Sequence, residues 1–277
     1  MGIELGKTLV LRPKLSFRRV DADALIEEGK RSRGGKTKPL DWSGIEHVKI
    51  YGSVQIGELA FKKFPFRHLT LPVVLADKIL QLSGIEGELY GGHLNGSVTV
   101  IFSKSIEIQS NGSLLACQLE EFSKDALKNG RLYGVSTLKG AFQSAFSSFS
   151  EWPACLWGKW DFTVKNGGYQ AFDDKERVKG KPTNFSLLQG SGVIEKGVLR
   201  SNNVRLEGDG LRLKGAGELN LGKMAFDGKF DVEKKGVPSF PLYVEGTFDK
   251  TKTSIGVGAL LLNAVGGIFR GILGIFN

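Results

Sequence analysis

The side chains able to do chemistry are few, and their spacing builds no site. His47, His68 and His93 are the three histidines, and no two share the His-x-x-x-His spacing that sets metal ligands on one helix face. No Gly-x-Ser-x-Gly elbow is present to present a serine as nucleophile. Gly6-Lys7-Thr8 and Gly35-Lys36-Thr37 copy the end of a phosphate-binding loop, but each lacks the glycine five residues earlier whose backbone would wrap the phosphates. Gly190-Ser191-Gly192 begins like a dinucleotide turn, yet Glu195 stands where its third glycine belongs. Cys117 and Cys155 are too few for a disulfide-stapled scaffold and lack zinc spacing. The expectation is a protein without catalytic residues, metal or cofactor.

What remains is architecture. Of 277 residues, 38 are glycine, about 14% and roughly twice the usual share. With only 8 prolines, no Gly-X-Y period and 41% hydrophobic residues, this is neither collagen nor a disordered chain. It points to many turns around a real core. Most of the sequence alternates apolar and polar residues in short runs broken by glycine, the pattern of antiparallel strands in sequence order. The clearest block runs from Gly190 to Glu233, where leucine, valine and phenylalanine alternate with arginine, lysine, glutamate and asparagine. Turns are expected at Glu195-Lys196-Gly197, Asn202-Asn203, Gly208-Asp209-Gly210 and Asp227-Gly228. Short helices are expected over residues 21–28, capped by Asp21, over 118–128, and within 141–156.

The charge is +9, with 38 Lys+Arg against 29 Asp+Glu, and it is concentrated. Between Arg12 and Lys38 there are nine basic residues against four acidic ones, and residues 29–39 carry no apolar side chain, so they read as a mobile basic loop. No aromatic residues interleave with the cations of the loop Lys30 to Lys38, which argues against nucleic acid as a partner. Residues 1–7 have neither the basic nor the apolar region of a secretory signal.

A long meander with one apolar face needs a cover, because apolar area left in water costs on the order of 25 cal/mol per Å². A second sheet, closure into a barrel, or a resident ligand with apolar tails would each supply one.

Three stretches resemble the AsmA-like proteins of Gram-negative envelopes. They are Leu15-Ser16-Phe17-Arg18-Arg19-Val20 with the short helix after it, the run from Gly52 to Gly96 with its Tyr90-Gly91-Gly92 turn, and the pattern from Gly192 through Leu221 to Pro241-Leu242-Tyr243-Val244-Glu245-Gly246. Together they span nearly the whole chain. The resemblance implies a single C-terminal AsmA-type domain over residues 1–277. Its fold would be mainly β, an elongated, twisted antiparallel sheet forming an open hydrophobic groove, with a few short helices. It further implies phospholipid carriage between inner and outer membrane in the periplasm, with an inner-membrane anchor preceding Met1. The sequence departs from the family in lacking that anchor and in the aromatic stretch 141–160.

On this reading Val54, Ile56, Leu59, Val204, Leu206, Leu211, Leu213, Leu219 and Leu221 line the groove, uncovered by protein and open to acyl chains. Residues 259–277 form a C-terminal amphipathic helix. Placed on that helix, Leu261, Leu262, Val265, Ile268, Phe269, Ile272, Ile275 and Phe276 surround a narrow stripe that includes Gly267, Arg270 and Gly274. Its 19 residues just reach the length of a bilayer span, but Arg270 would lie too deep, so an interfacial helix or one packed on the sheet fits better. Trp152 and Trp157 in the aromatic stretch suit a membrane interface or a satellite core. The expected partners are phospholipid, a membrane surface, and periplasmic or outer-membrane proteins. In the oxidising compartment the resemblance implies, Cys117 and Cys155 are either one disulfide or two buried thiols. The alternative is a closed periplasmic β-sandwich that scaffolds outer-membrane assembly.

Overall fold

A computed structural model describes residues 8–24, 43–61, 64–126, 130–147, 151–172, 178–208, 210–223, 225–247 and 251–255 of the chain. All fifteen described strands belong to one sheet. They are β1 (Leu9–Leu11), β2 (Lys14–Asp21), β3 (Val48–Phe61), β4 (Phe64–Ala76), β5 (Ile79–Leu89), β6 (Gly92–Phe102), β7 (Ile106–Gln118) and β8 (Gly130–Phe146), then β9 (Leu156–Phe172), β10 (Val178–Glu195), β11 (Val198–Gly208), β12 (Leu211–Asn220), β13 (Ala225–Lys234), β14 (Val237–Thr247) and β15 (Thr251–Ile255). From β3 onward each strand lies beside the next in sequence, and the two ends of this path do not pair, so the sheet is open and not a barrel. The mainly β, mostly antiparallel fold read from the alternation is the observed one.

At one edge β1 and β2 both run parallel to β3, which pairs with β4 on its other side. The break between them falls at Pro13, which has no N–H to give and whose carbonyl accepts from Ser53 N–H at 3.1 Å.

The chain divides into two compact units: residues 1–89, 93–113 and 141–152 form one, and residues 90–92, 114–140 and 153–277 the other. The first buries Ile56, Leu69, Ile106 and Phe146. The second buries most of the alternating apolar residues of β10 to β14.

Turn chemistry explains the hairpins. Tyr90-Gly91 and Lys196-Gly197 have positive φ at both positions, the type I′ pattern whose twist matches the flanking strands. The expected turn at Gly208–Gly210 separates β11 from β12. Two other expected turns lie within strands. Asn202-Asn203 is a bulge in β11: Asn203 Oδ1 accepts from Ser191 N–H at 2.9 Å, its Nδ2 donates to Ser191 Oγ at 2.7 Å, and Ser201 Oγ donates to Ser191 O at 2.7 Å. These side chains replace the ladder bonds that the extra residue interrupts, so the strand continues instead of reversing. Asp227-Gly228 lies in β13, where the glycine makes room for a ring: a Cβ there would meet Phe230 Cε2 at 2.7 Å.

One helix, α1 (Leu119–Ala126), appears inside the expected 118–128 span, burying Leu119 and Phe122. After β2, residues 22–24 turn helical with Asp21 Oδ1 accepting from Ala24 N–H at 3.0 Å, the expected cap; 25–28 lie outside the described residues. Among the described residues of 141–156 the structure has strand β8 to Phe146 and a one-turn 3₁₀ helix, Trp152–Cys155, and no longer helix. The aromatic stretch is therefore mostly strand: Phe142, Ser144 and Phe146 alternate inward with exposed residues, a period of two. The basic loop 29–39 and the C-terminal run 259–277, with Leu261, Leu262, Val265, Ile268, Phe269, Ile272, Ile275 and Phe276, lie outside the described residues. Among the described residues no helix is long and apolar enough to cross a membrane.

Candidate functional site

The apolar face of the second unit is built by register. Leu188 on β10 stands opposite Leu206 on β11, Leu206 opposite Leu213 on β12, Leu213 opposite Val232 on β13, and Val232 opposite Phe240 on β14. Directly opposed residues point to the same face, so these five form one row across five strands. A second row, Ile194–Leu199–Leu219–Phe226, runs beside it. Leu206, Leu211, Leu213 and Leu219 share this face with half-buried Val204. Leu221 follows the end of β12, half-buried, with its N–H donating to Gly197 O at 2.9 Å.

The other face is charged. Arg200 bridges Glu195 at 3.0 Å and Glu218 at 2.8 Å, Arg212 pairs with Glu233 at 3.2 Å, and Lys229 sits 5.7 Å over the Tyr243 ring. Such exposed pairs add little stability each, but they fix which side of the sheet faces water.

Aromatic rings lie on the neighbouring strand's glycines. A Cβ on Gly190 would meet Phe162 at 2.9 Å, one on Gly192 would meet Trp160 at 3.1 Å, and one on Gly215 would meet Phe230 at 2.5 Å. Trp160 and Phe162 stack at 5.8 Å, 13° from parallel. The Trp160 indole Nε1 is buried on this face without a hydrogen-bond partner.

No second described sheet faces these rows, since all described strands share one sheet. The rows are nonetheless shielded: Val232 is 0% exposed, Leu213 2% and Leu206 3%. The expectation that Leu206, Leu211, Leu213 and Leu219 stand open without a protein cover is thus not met; the chain itself excludes water from them.

In the first unit Leu15–Val54–Leu71 and Phe17–Ile56–Leu69 are opposed across β2, β3 and β4. Ile56 and Leu69 are buried and Val54 is half-buried, while Leu15 and Phe17 on the edge strand are exposed. Leu59 does not belong with them: β3 is continuous, so strict alternation puts Leu59 on the face opposite Val54 and Ile56.

Trp152 and Trp157 are exposed, in the 3₁₀ turn and at the start of β9. Cys117 and Cys155 are free thiols, the first buried and the second half-buried. Cys117 lies against Gly92, where a Cβ would meet its Cα at 2.7 Å, and burial pushes its thiol pKa up.

No family model, curated protein or solved structure matches this chain. The functional reading therefore rests on the residues.

One feature of the structure has no motif in the sequence. An open cleft of about 660 Å³ lies at the ends of β11, β12 and β13, with Arg212, Glu233, Lys234 and Lys235 in its lining. Its only sequence signal is the charged run Glu233-Lys234-Lys235 before Gly236.

Proposed function

We propose that this chain handles phospholipid, as a segment of an AsmA-like bridge carrying lipid between inner and outer membrane through the periplasm, with its anchor upstream. The observation that carries the reading is the apolar row Leu188–Leu206–Leu213–Val232–Phe240, continuous across five strands of an open sheet whose opposite face is charged. Five strands at about 4.8 Å spacing make the row roughly 19 Å wide. Val204, Leu211, Leu219 and Leu221 extend it along the strands. The unpartnered Trp160 Nε1 on the same face offers a hydrogen-bond donor to an ester carbonyl. Exposed Trp152 and Trp157, with Leu261, Leu262, Val265, Ile268, Phe269, Ile272, Ile275 and Phe276 of the C-terminal run, would meet the membrane surface.

No bond is made or broken; transfer is partition. Moving an acyl chain out of water gains about 0.8 kcal/mol per methylene. Because the row is already shielded from water, an entering chain exchanges one apolar contact for another and the net gain is smaller. Weak net binding suits a carrier, which must release what it takes up.

The test is native mass spectrometry of the purified chain, joined to lipid photocrosslinking in cells. Co-purifying phospholipid, and crosslinking abolished by Leu213→Asp, are the expected results. Leu213 is buried, so Val204→Asp at a half-buried position serves as a second variant should the first fail to fold. Crosslinking unchanged in both would overturn the reading. The near-complete burial of Val232, Leu242 and Val244 favours a second reading, a structural periplasmic sheet whose charged face recruits outer-membrane assembly proteins. A lipid-free monomer in the spectrometer would support it.

A further inference from the structure

Leu59, which faces away from Val54 and Ile56, is one of a set. Val20 on β2 opposes Leu59 on β3, Leu59 opposes Phe66 on β4, and Phe66 opposes Leu89 on β5. Phe61 and Phe64, paired at the end of the β3–β4 hairpin, stand two positions farther along the same face. On the reverse side register aligns Arg19–Glu58–Arg67–Glu88. That charged row continues the face of Leu15–Val54–Leu71 and Phe17–Ile56–Leu69. In the first unit, therefore, the apolar side of the sheet changes faces between Ile56 and Leu59.

A core would bury such side chains. None of these six is buried: Phe61 is 37% exposed and the other five are half-buried. The charges nearby are sorted between the two faces. Glu58, Glu88 and Asp21, which opposes Ala60, lie on the reverse side, and Glu58 is 3.9 Å from Arg19 Nη1. On the apolar side the alternation of β2 sets exposed Arg18 next to Val20. The two residues separating Phe61 from Phe64 in the sequence are Lys62 and Lys63. Among the described strands, the nearest carboxylate that register puts on this side is Glu86, level with Gln55 and four positions from Leu59.

Apolar rings rimmed by cations and set apart from carboxylates match an anionic bilayer surface, where rings enter the interface and cations meet phosphate. A second copy seated on the same face would bring like charges together, which disfavours it. We propose that the end of the β3–β4 hairpin is a docking surface for an anionic membrane, with Leu59, Phe61 and Phe66 entering the boundary between headgroups and acyl chains and Arg18 at the phosphates. This goes beyond the lipid-handling reading, which gives membrane contact to Trp152, Trp157 and the C-terminal run and does not need this surface.

The test uses the full chain with extruded vesicles of phosphatidylcholine, alone or mixed in equal parts with phosphatidylglycerol. Cosedimentation should favour the mixed vesicles. Arg18→Gln should weaken binding to them about fivefold and leave the weaker binding to phosphatidylcholine unchanged. Phe61→Ser/Phe66→Ser should weaken binding to both roughly tenfold. Hydrogen–deuterium exchange of the native chain, which requires no variant to fold, should slow over residues 59–66 when mixed vesicles are added.

Vesicle binding that is unchanged in both variants, or that slows exchange elsewhere but not over 59–66, would overturn the docking surface. Slow exchange over 59–66 without vesicles, relieved by dilution, would overturn it in favour of contact between copies. A native chain that binds neither vesicle yet still co-purifies with phospholipid would overturn the surface and leave the lipid-handling reading standing. A chain that docks through these residues but carries no phospholipid would support the surface and overturn that reading.

Discussion

Tyr90 Oη donates a 2.6 Å hydrogen bond to Oδ2 of Asp125, joining the β5–β6 turn to the end of α1. The same ring meets Phe122 edge-on, with centroids 5.5 Å apart and planes at 86°. Tyr90 stands at φ 48°, a left-handed conformation that residues with a side chain rarely adopt, so these two ring contacts hold the backbone in a turn it would otherwise resist. Burial, and then the Asp125 carboxylate, push the phenol well above its ordinary range.

Removing the hydroxyl while keeping the ring isolates that bond. Tyr90→Phe should destabilise the chain by about 1–2 kcal/mol in urea unfolding at neutral pH. The effect should depend on pH in one direction. Below about pH 10 the phenol is protonated in folded and unfolded chains alike, and the bond contributes fully. Above it the unfolded chain releases its proton first, so the native protein loses stability that Tyr90→Phe cannot lose. The gap between the two should therefore close as pH rises past about 10. A gap that stays constant would show that the phenol is not held as described.

Two glycines give opposite expectations for the same substitution. A Cβ on Gly192 would sit 1.8 Å from Arg200 O, so Gly192→Ala must part β10 from β11 at the bulge that Asn203 stitches. A loss of about 2–4 kcal/mol is expected. Gly44, in the 3₁₀ turn Ser43–His47, has nothing within 4 Å of its Cβ position and no positive φ. Gly44→Ala should be neutral or stabilising by less than about 1 kcal/mol, since it restricts only the unfolded chain. Chemical denaturation of the pair reads both.

The thiols should differ in reactivity. Cys117 is 2% exposed, and its raised pKa keeps it protonated at neutral pH, whereas Cys155 is half-buried. Alkylation followed by mass spectrometry should label Cys155 in the native chain and Cys117 only on unfolding. Equal rates in the folded state would contradict the packing of Cys117 against Gly92.

Strand content and the two-faced character of residues 190–233 are legible in the sequence, because one face of each strand touches water and the other does not. That difference is written residue by residue, as in Leu211-Arg212-Leu213-Lys214. Where the period is broken, local reading fails. Asn202-Asn203 has turn composition but bulges, since Ser191 on the adjacent strand supplies its hydrogen bonds. Leu59 is apolar and near Val54 and Ile56, yet odd-numbered among even-numbered neighbours, so it faces away. The rings of residues 141–160 read as an insert because composition outweighs the period of two in Ala141-Phe142-Gln143-Ser144-Ala145-Phe146.

By itself, then, the sequence determines that the chain makes strands with one apolar side, because alternation is a local consequence of the pleat. Which apolar residues stand in one row, how far that row is shielded, and that Lys234 ends it beside Leu211 are settled only by tertiary structure. Here register joins residues from 7 positions apart, Leu206 and Leu213, to 23 apart, Leu211 and Lys234, and it is set by the turns and bulges between them, which the local pattern of polarity does not encode.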